Sequence, residues 1–176
     1  VAVEVGTMAG YSAILIAQTL RDSTCKLYTL EADWKWVLVA KRFLWMCNQG
    51  ERGDGEERVG ERVKVQWGDA LQTIPKLSTS NGGKIETASV DFLLIDGQPK
   101  DYLGYLKAAE PLLAPGAVVV AATAGVFKDS VAEYLDYVRN GGDQGQYASS
   151  RYLDAKFGWY DEVADGMEVS VYQPLK

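Results

Sequence analysis

The segment Glu4-Val5-Gly6-Thr7-Met8-Ala9-Gly10 places two glycines between a β-branched run and a helical spacing of apolar residues that begins near Tyr11. Glycine lets backbone approach a ligand closely, and a helix start offers unpaired N–H groups, so main chain can hold a small polar molecule here. Further along, Glu31 ends a second strand-like run. A carboxylate in that place can accept hydrogen bonds from both hydroxyls of a ribose. It can also be a surface carboxylate beside the helix that Asp33 caps; together with the glycine loop, the spacing favours ribose. Asp69 precedes a helical pattern and Asp96 closes a nearly continuous apolar run. The chain has no histidine, which removes the commonest general base and the commonest transition-metal ligand. Any chemistry must use carboxylates, lysine or positioning.

The elements that would present these residues alternate regularly. Strands are expected at Val1–Val5, Lys26–Glu31, Val63–Trp67, Val90–Ile95 and Ala117–Ala121, from β-branched and apolar runs. Helices are expected at Tyr11–Leu20, Trp34–Cys47, Ala70–Leu77, Tyr102–Leu113 and Lys128–Arg139, with Asp69 an N-cap. Asn48–Arg62 reads as a solvated excursion, Ser78–Thr87 as a loop, and Ala114-Pro115-Gly116 as a turn. Tyr147–Leu153 and Glu168–Gln173 follow with no helix between them, which predicts an antiparallel hairpin at one sheet edge. The whole predicts an α/β fold with an open, doubly wound sheet and right-handed crossovers. In such a sheet ligands sit at the carboxyl ends of the strands, where Gly6, Glu31, Asp69 and Asp96 fall.

At 176 residues and 47% hydrophobic content, residues 1–176 suit one domain with a buried core. The net charge of −6 and the lack of a basic stripe argue against a nucleic-acid partner. No apolar run approaches the ~20 residues of a membrane span. Two cysteines, Cys25 and Cys47, are too few for a disulfide framework and are read as reduced thiols of a cytoplasmic protein. Val1 already lies in a strand-like run with neither initiator Met nor signal peptide before it, so a core lacking N-terminal helices is expected. Monomer and homodimer stay open.

EVGTMAGYSA, LYTLEAD, VKVQWGDALQTIPKL, DFLLIDGQPKDYL and DEVADGMEVSVY, in that order and nearly end to end, resemble the catechol type of class I S-adenosylmethionine-dependent O-methyltransferases. The resemblance implies S-adenosylmethionine as cofactor, a small phenolic or catechol-like acceptor, and a mostly parallel seven-stranded, Rossmann-like sheet with a reversed edge strand. By position it implies that Glu4, Gly6, Met8, Tyr11 and Ser12 hold the methionine portion, that Glu31 binds ribose, and that Asp69 and Ala70 form the adenine-side turn. It makes Asp96 a carboxylate facing both cofactor and metal, and Glu168 a contact to a substrate hydroxyl.

Two departures qualify this. The family's Asp-Asn metal pair is expected at Ala122 and Thr123. One carboxylate with the Thr123 hydroxyl offers little charge to a dehydrating Mg²⁺, so weak or no metal binding at Asp96 is expected. The family's catalytic lysine is expected where Pro99 stands, with Lys100 one position later; Lys100 is the candidate general base. A catalytically impaired binding protein is the alternative. A nicotinamide enzyme ranks lower, because the loop has no G-x-G-x-x-G. Trp34, Trp36, Phe43 and Trp45 are expected to pack, and Trp159 with Tyr160 to wall a substrate.

Overall fold

The computed structural model describes residues 1–20, 25–49, 58–156 and 164–174; Trp159 and Tyr160 lie outside them. The strands are β1 (Ala2–Val5), β2 (Leu27–Glu31), β3 (Val63–Trp67), β4 (Val90–Ile95), β5 (Leu113–Ala121), β6 (Tyr147–Lys156) and β7 (Ala164–Tyr172). They form one sheet in the order β3-β2-β1-β4-β5-β7-β6. The first five strands are parallel, and β7 runs antiparallel between β5 and β6. The helices are α1 (Tyr11–Thr19), α2 (Trp34–Cys47), α3 (Val59–Arg62), α4 (Ala70–Leu77), α5 (Tyr102–Ala109) and α6 (Ala132–Arg139).

Alternation along the strands divides the core. Val3, Val5, Leu93, Ile95, Val119 and Ala121 join residues of α4, α5 and α6 in one cluster, whereas Ala2, Leu27 and Val63 meet Ala13, Ala17 and Leu44 of α1 and α2 in another. Neighbouring residues of a strand face opposite ways, so the sheet carries helices on both faces. Order reverses between β1 and β4, and the strands on either side present their carboxyl ends there. That is where a doubly wound sheet opens a ligand crevice.

The sequence-based boundaries shift where local chemistry competes with periodicity. Strand β5 begins at Leu113 and runs through Ala114-Pro115-Gly116, with a register irregularity opposite Val90–Phe92, so the expected turn is a kinked strand start. Helix α5 gives way to a single 3₁₀ turn at Glu110–Leu112, because Pro111 cannot supply a helical N–H. Residues 122–131 form turns, and α6 starts only at Ala132. The excursion after α2 contains the short α3, and Ser78–Thr87 holds a 3₁₀ turn and a bridge from Ser78 to Ile85. The terminal hairpin is longer than expected, with Tyr152 paired to Glu168 and Lys156 to Ala164.

Helix α2 also differs from expectation. Val37, Ala40 and Leu44 make its buried stripe, and one stripe is all a two-layer contact can cover. Trp34 and Trp45 are therefore 55% and 50% exposed, and Trp36 and Phe43 are exposed as well. None belongs to the core; Arg42 lies over the Trp45 ring at 4.3 Å. Cys25 and Cys47 are free thiols. Among the described residues no helix is long and apolar enough to cross a membrane.

Candidate functional site

The ends of β1, β2, β3 and β4 surround a cleft of about 680 Å³. Its first wall is the glycine loop. Gly6 has φ 94° and its N–H donates to the Leu30 carbonyl at 2.9 Å. A Cβ there would stand 2.2 Å from the Asp96 carbonyl oxygen, so only glycine lets β1 turn against the end of β4. Gly10, at φ 86°, ends the loop by donating to the Thr7 carbonyl at 2.8 Å and begins α1. Met8, also in the left-handed region at φ 46°, and Tyr11 project at the lip, 61% and 75% exposed.

Glu31 ties the second wall to the first. Its Oε2 accepts from the Met8 N–H at 2.7 Å, and its Oε1 accepts from the Asp33 N–H at 2.9 Å. Both sequence readings of Glu31 thus meet in one side chain, which braces the helix start and borders the cleft. Each carboxylate oxygen has a second lone pair available. The third wall comes from Gly68, Asp69 and Ala70. Asp69 Oδ1 accepts from the Leu71 N–H at 3.0 Å, capping α4. Gly97, Gln98 and Tyr105 complete the lining beyond Asp96, and Trp36 and Asp33 close it near Glu31.

Glu4 lies beneath this floor, fully buried. Its Oε2 accepts from the Thr29 hydroxyl at 2.5 Å, and Thr29 is hydrogen-bonded to Thr7 at 2.6 Å. Its Oε1 has no hydrogen-bond partner among the described residues. Burial pushes the Glu4 carboxyl up to about 7; the Ser12 and Thr29 hydroxyls oppose the rise, and the charge of Asp96 adds to it. Asp96 itself is raised to about 6, first by desolvation between the cleft walls and then by the nearby charge of Asp165. Its carboxylate still opens onto the cleft.

Of the sequence candidates, Gly6, Met8, Tyr11, Ser12, Glu31, Asp69, Ala70 and Asp96 all line this one cleft. Four others do not. Glu4 is fully buried beneath the cleft and is not in its lining. Lys100 is exposed on the 3₁₀ turn Pro99–Asp101, outside the lining. Thr123 follows β5 with φ 50°, and its hydroxyl lies 3.5 Å from the Tyr102 hydroxyl, which also donates to the Ala122 carbonyl at 3.2 Å. Glu168, expected at a substrate hydroxyl, is fully buried. It accepts from Arg139 Nε at 3.0 Å, Arg139 Nη2 at 2.7 Å and the Ser150 hydroxyl at 2.6 Å. Burial pushes its carboxyl up, but these bonds outweigh it and hold the group below the usual range. In the structure Glu168 is thus held by Arg139 of α6 and Ser150 of β6 and is not among the described residues that line the cleft.

The donors around Asp96 do not match the Mg²⁺ that the resemblance implies. Ala122 brings no donor, and Asp165 Oδ1 is taken by the Gly125 and Val126 N–H groups at 3.1 Å each. Among the described residues no group of three His, Cys, Asp or Glu side chains gathers as a metal site. A hard dication wants about six oxygen ligands in a tight shell, and this donor set does not fit one. Gln98, Tyr105, Asp165 and the Thr7–Thr29 pair escaped sequence reasoning; only their closeness to strand ends in the chain could have signalled them.

A family profile for a methyltransferase domain matches residues 3–121. The chain is 31% identical over 120 residues to a catechol O-methyltransferase of Niastella koreensis, covering 67% of this chain and 46% of that protein. To catechol O-methyltransferase B of Danio rerio it is 28% identical over 171 residues, 96% of this chain and 56% of the other. The chain thus spans about half the length of these relatives. Among solved structures it is similar to an O-methyltransferase from Bacillus cereus in complex with SAH, with TM-score 0.77, 21% identity, and coverage of 98% of this chain and 73% of the other. The O-methyltransferase TomG from Streptomyces achromogenes, in complex with SAM, gives TM-score 0.78, 20% identity and the same coverages. At these identities the likeness is one of fold.

Proposed function

The chain belongs to the methyltransferase-domain family matched over residues 3–121, and from that premise we propose that it is the core of an S-adenosylmethionine-dependent O-methyltransferase acting on a small, catechol-like hydroxylated aromatic. One observation carries the cofactor assignment. Glu31, Asp33, Asp69 and Asp96 border the cleft, and no Lys or Arg is among its described lining residues. A pyrophosphate would meet repulsion there, whereas a ligand with a neutral sugar and net positive charge suits it. The buried, unpartnered Glu4 Oε1 fits the same ligand.

When bound, S-adenosylmethionine supplies an activated methyl group on a sulfonium leaving group. The chain's own residues do the rest. Gly6, Met8, Tyr11 and Ser12 hold the amino-acid end, Glu31 accepts from the ribose hydroxyls, and Asp69 with Ala70 borders the base. Asp96, opening onto the cleft beside Gly97, hydrogen-bonds the acceptor hydroxyl and takes its proton on a carboxylate oxygen. With its carboxyl raised to about 6, it lies closer to the working pH of a general base than an ordinary aspartate. Most of the acceleration comes from holding acceptor and donor aligned. Lys100 would need to leave its exposed turn to share the proton, and Lys100→Met is the variant that measures its part.

The test is calorimetry with S-adenosylmethionine and with NAD, followed by methyl-transfer assays on a catechol panel with and without Mg²⁺. Binding of S-adenosylmethionine alone, with turnover independent of Mg²⁺, is expected. Preference for NAD would overturn the assignment, and cofactor binding without turnover on any catechol would leave a binding protein of the same fold.

A further inference from the structure

The sheet ends at β3, which is first in the strand order and pairs only with β2 among the described strands. The Gly68 N–H donates to the Glu31 carbonyl at 2.9 Å, with Glu31 in register with Trp67. Main-chain groups along a strand point alternately to its two sides, so Lys64 and Gln66 face β2 while Val65 and Trp67 direct their N–H and C=O outward. No backbone hydrogen bond from a described residue reaches them. Such a row is a template for one more strand. Beside it, Lys41, Leu44 and Trp45 of α2 and Val63, Lys64 and Val65 of β3 line a groove of about 360 Å³. Leu44 and Val63 are buried there and Trp45 stands half exposed. Both lysines are exposed, and neither forms an ion pair with a described residue. Lys64 Nζ donates to the Glu61 carbonyl at 3.0 Å, while the Glu61 carboxylate accepts from the Arg58 N–H at 3.2 Å. In a chain of net charge −6, this groove has two lysines and no Asp or Glu among its described lining residues.

We propose that this edge is a docking site for an extended acidic segment of a partner protein, which joins the sheet as a further strand beside β3. Main chain of the guest exchanges hydrogen bonds with Val65 and Trp67. Val63 and Val65 lie on the α2 side of β3, in the cluster that holds Leu44, so apolar guest side chains on that side enter the groove. Lys64 alternates to the opposite side, where it meets the guest's acidic residues, and Lys41 meets one at the groove wall. In strand addition of this kind, main-chain bonds give affinity and side-chain pockets give selectivity. A lysine on an edge strand ordinarily discourages pairing; here it selects the partner by charge. A second copy of the chain fits less well, because two-fold pairing of β3 with itself gathers Lys41 and Lys64 of both copies at one interface, where like charges repel. None of these residues lines the cofactor cleft, so the docking site and the cofactor assignment can fail separately.

The probe is a fluorescent, amidated peptide of alternating Glu and Val, about seven residues long to match a typical strand, and a second probe carries Lys in place of every Glu. Anisotropy should show saturable binding of the acidic probe at low salt and none of the basic one. Combining Lys41→Glu with Lys64→Glu, both at exposed positions, should weaken the acidic probe about tenfold or more. Amide hydrogen exchange read by NMR locates the contact. On binding, the Val65 and Trp67 amides should slow about tenfold or more, while those of Lys64 and Gln66, already bonded to β2, should change little. Val65→Pro removes one outward donor at a position where an edge strand tolerates proline, and should abolish binding. If that variant is unfolded by circular dichroism, the exchange pattern of the parent and the lysine reversal decide. Absence of binding by the parent, equal binding of the two probes, or binding that leaves exchange at Val65 and Trp67 unchanged overturns the proposal. Self-association of the parent that Val65→Pro abolishes, with no probe bound, also overturns it and assigns the edge to a second copy.

Discussion

Gly6 faces the carbonyl of Asp96 so closely that a Cβ on residue 6 would lie 2.2 Å from that oxygen and 2.7 Å from its carbon. The contact joins the first functional loop to the strand end that carries the acid. Gly6→Ala should therefore fail twice, through a clash with backbone and through φ 94°, at a cost of about 3 kcal/mol or more. Gly82→Ala is the control: φ is 81° but nothing lies within 4 Å of the added carbon, so about 1 kcal/mol is expected. Urea unfolding of both variants checks this, and equal losses would mean that the contact with Asp96 contributes nothing.

Glu31 links Met8 and Asp33 through one carboxylate. Glu31→Gln keeps the shape but must turn an amide N–H toward one of two donors. We expect S-adenosylmethionine affinity to fall 10- to 100-fold, about 1.4–3 kcal/mol, consistent with loss of charge-assisted bonds and a misplaced loop. Thermal stability should change little, since the side chain borders solvent. Unchanged affinity by calorimetry would remove Glu31 from the binding site.

The buried Glu4 also sets a pH dependence for the empty protein. Its carboxyl is raised from 4.5 to about 7 by burial, so between those values the folded state holds a proton that the unfolded state has lost. Stability from this group is complete below about pH 4.5 and falls as pH rises toward 7, by on the order of 3 kcal/mol in total. Asp96, raised to about 6, acts in the same direction. Glu168, held low, acts oppositely on acidification. Denaturant unfolding between pH 5 and pH 8 should show the parent losing stability upward and Glu4→Gln losing less; parallel curves would contradict the assignment.

Much of this arrangement is legible in the sequence. Strands β4 and β5 were legible because parallel strands covered on both faces are nearly continuous apolar runs, β3 because Val63 and Val65 alternate with polar residues, and the cleft residues because the fold collects strand ends in one place. What escaped depends on alternation and long-range contact. Glu168 sits in a recognisable segment, yet whether β7 turns it toward the cleft or toward α6 is a matter of one residue of register. Arg139, its partner across 29 positions, carries no sequence mark. The exposure of Trp34 and Trp45 was hidden for a similar reason: an apolar period tells how a helix is patterned but not how wide a stripe its neighbours cover. At Glu4 the strand pattern predicts burial of its neighbours, whereas the orphaned Oε1 appears only in three dimensions.

Thr123 holds φ 50° after β5, a region costly for a β-branched residue and easier for Asn or Gly. Thr123→Gly should relieve that strain and stabilise the fold by about 1 kcal/mol, net of the entropy glycine adds to the unfolded chain. A rise in Tm with unchanged cofactor affinity is the expected result. A fall in Tm would show that the hydroxyl beside Tyr102 contributes more than the backbone strain costs.

The Arg139–Glu168 pair separates packing from catalysis. Glu168 is wholly buried, while the Arg139 side chain is 47% exposed. The two-pronged contact desolvates the acid far more than the base, and removing the base strands a buried carboxylate. Arg139→Ala should cost about 3 kcal/mol at pH 7, and less at low pH, where Glu168 can take up a proton. Glu168→Gln keeps one accepting oxygen, puts an amide N–H in place of the other and removes the charge, and should cost less than Arg139→Ala at neutral pH. Neither change touches a residue lining the cleft, so both folded variants should bind S-adenosylmethionine with the parent's Kd. Should Glu168→Gln instead lose turnover while keeping stability and Kd, the side chain would belong to the acceptor site after all, and the orientation of β7 toward α6 would not describe the working protein.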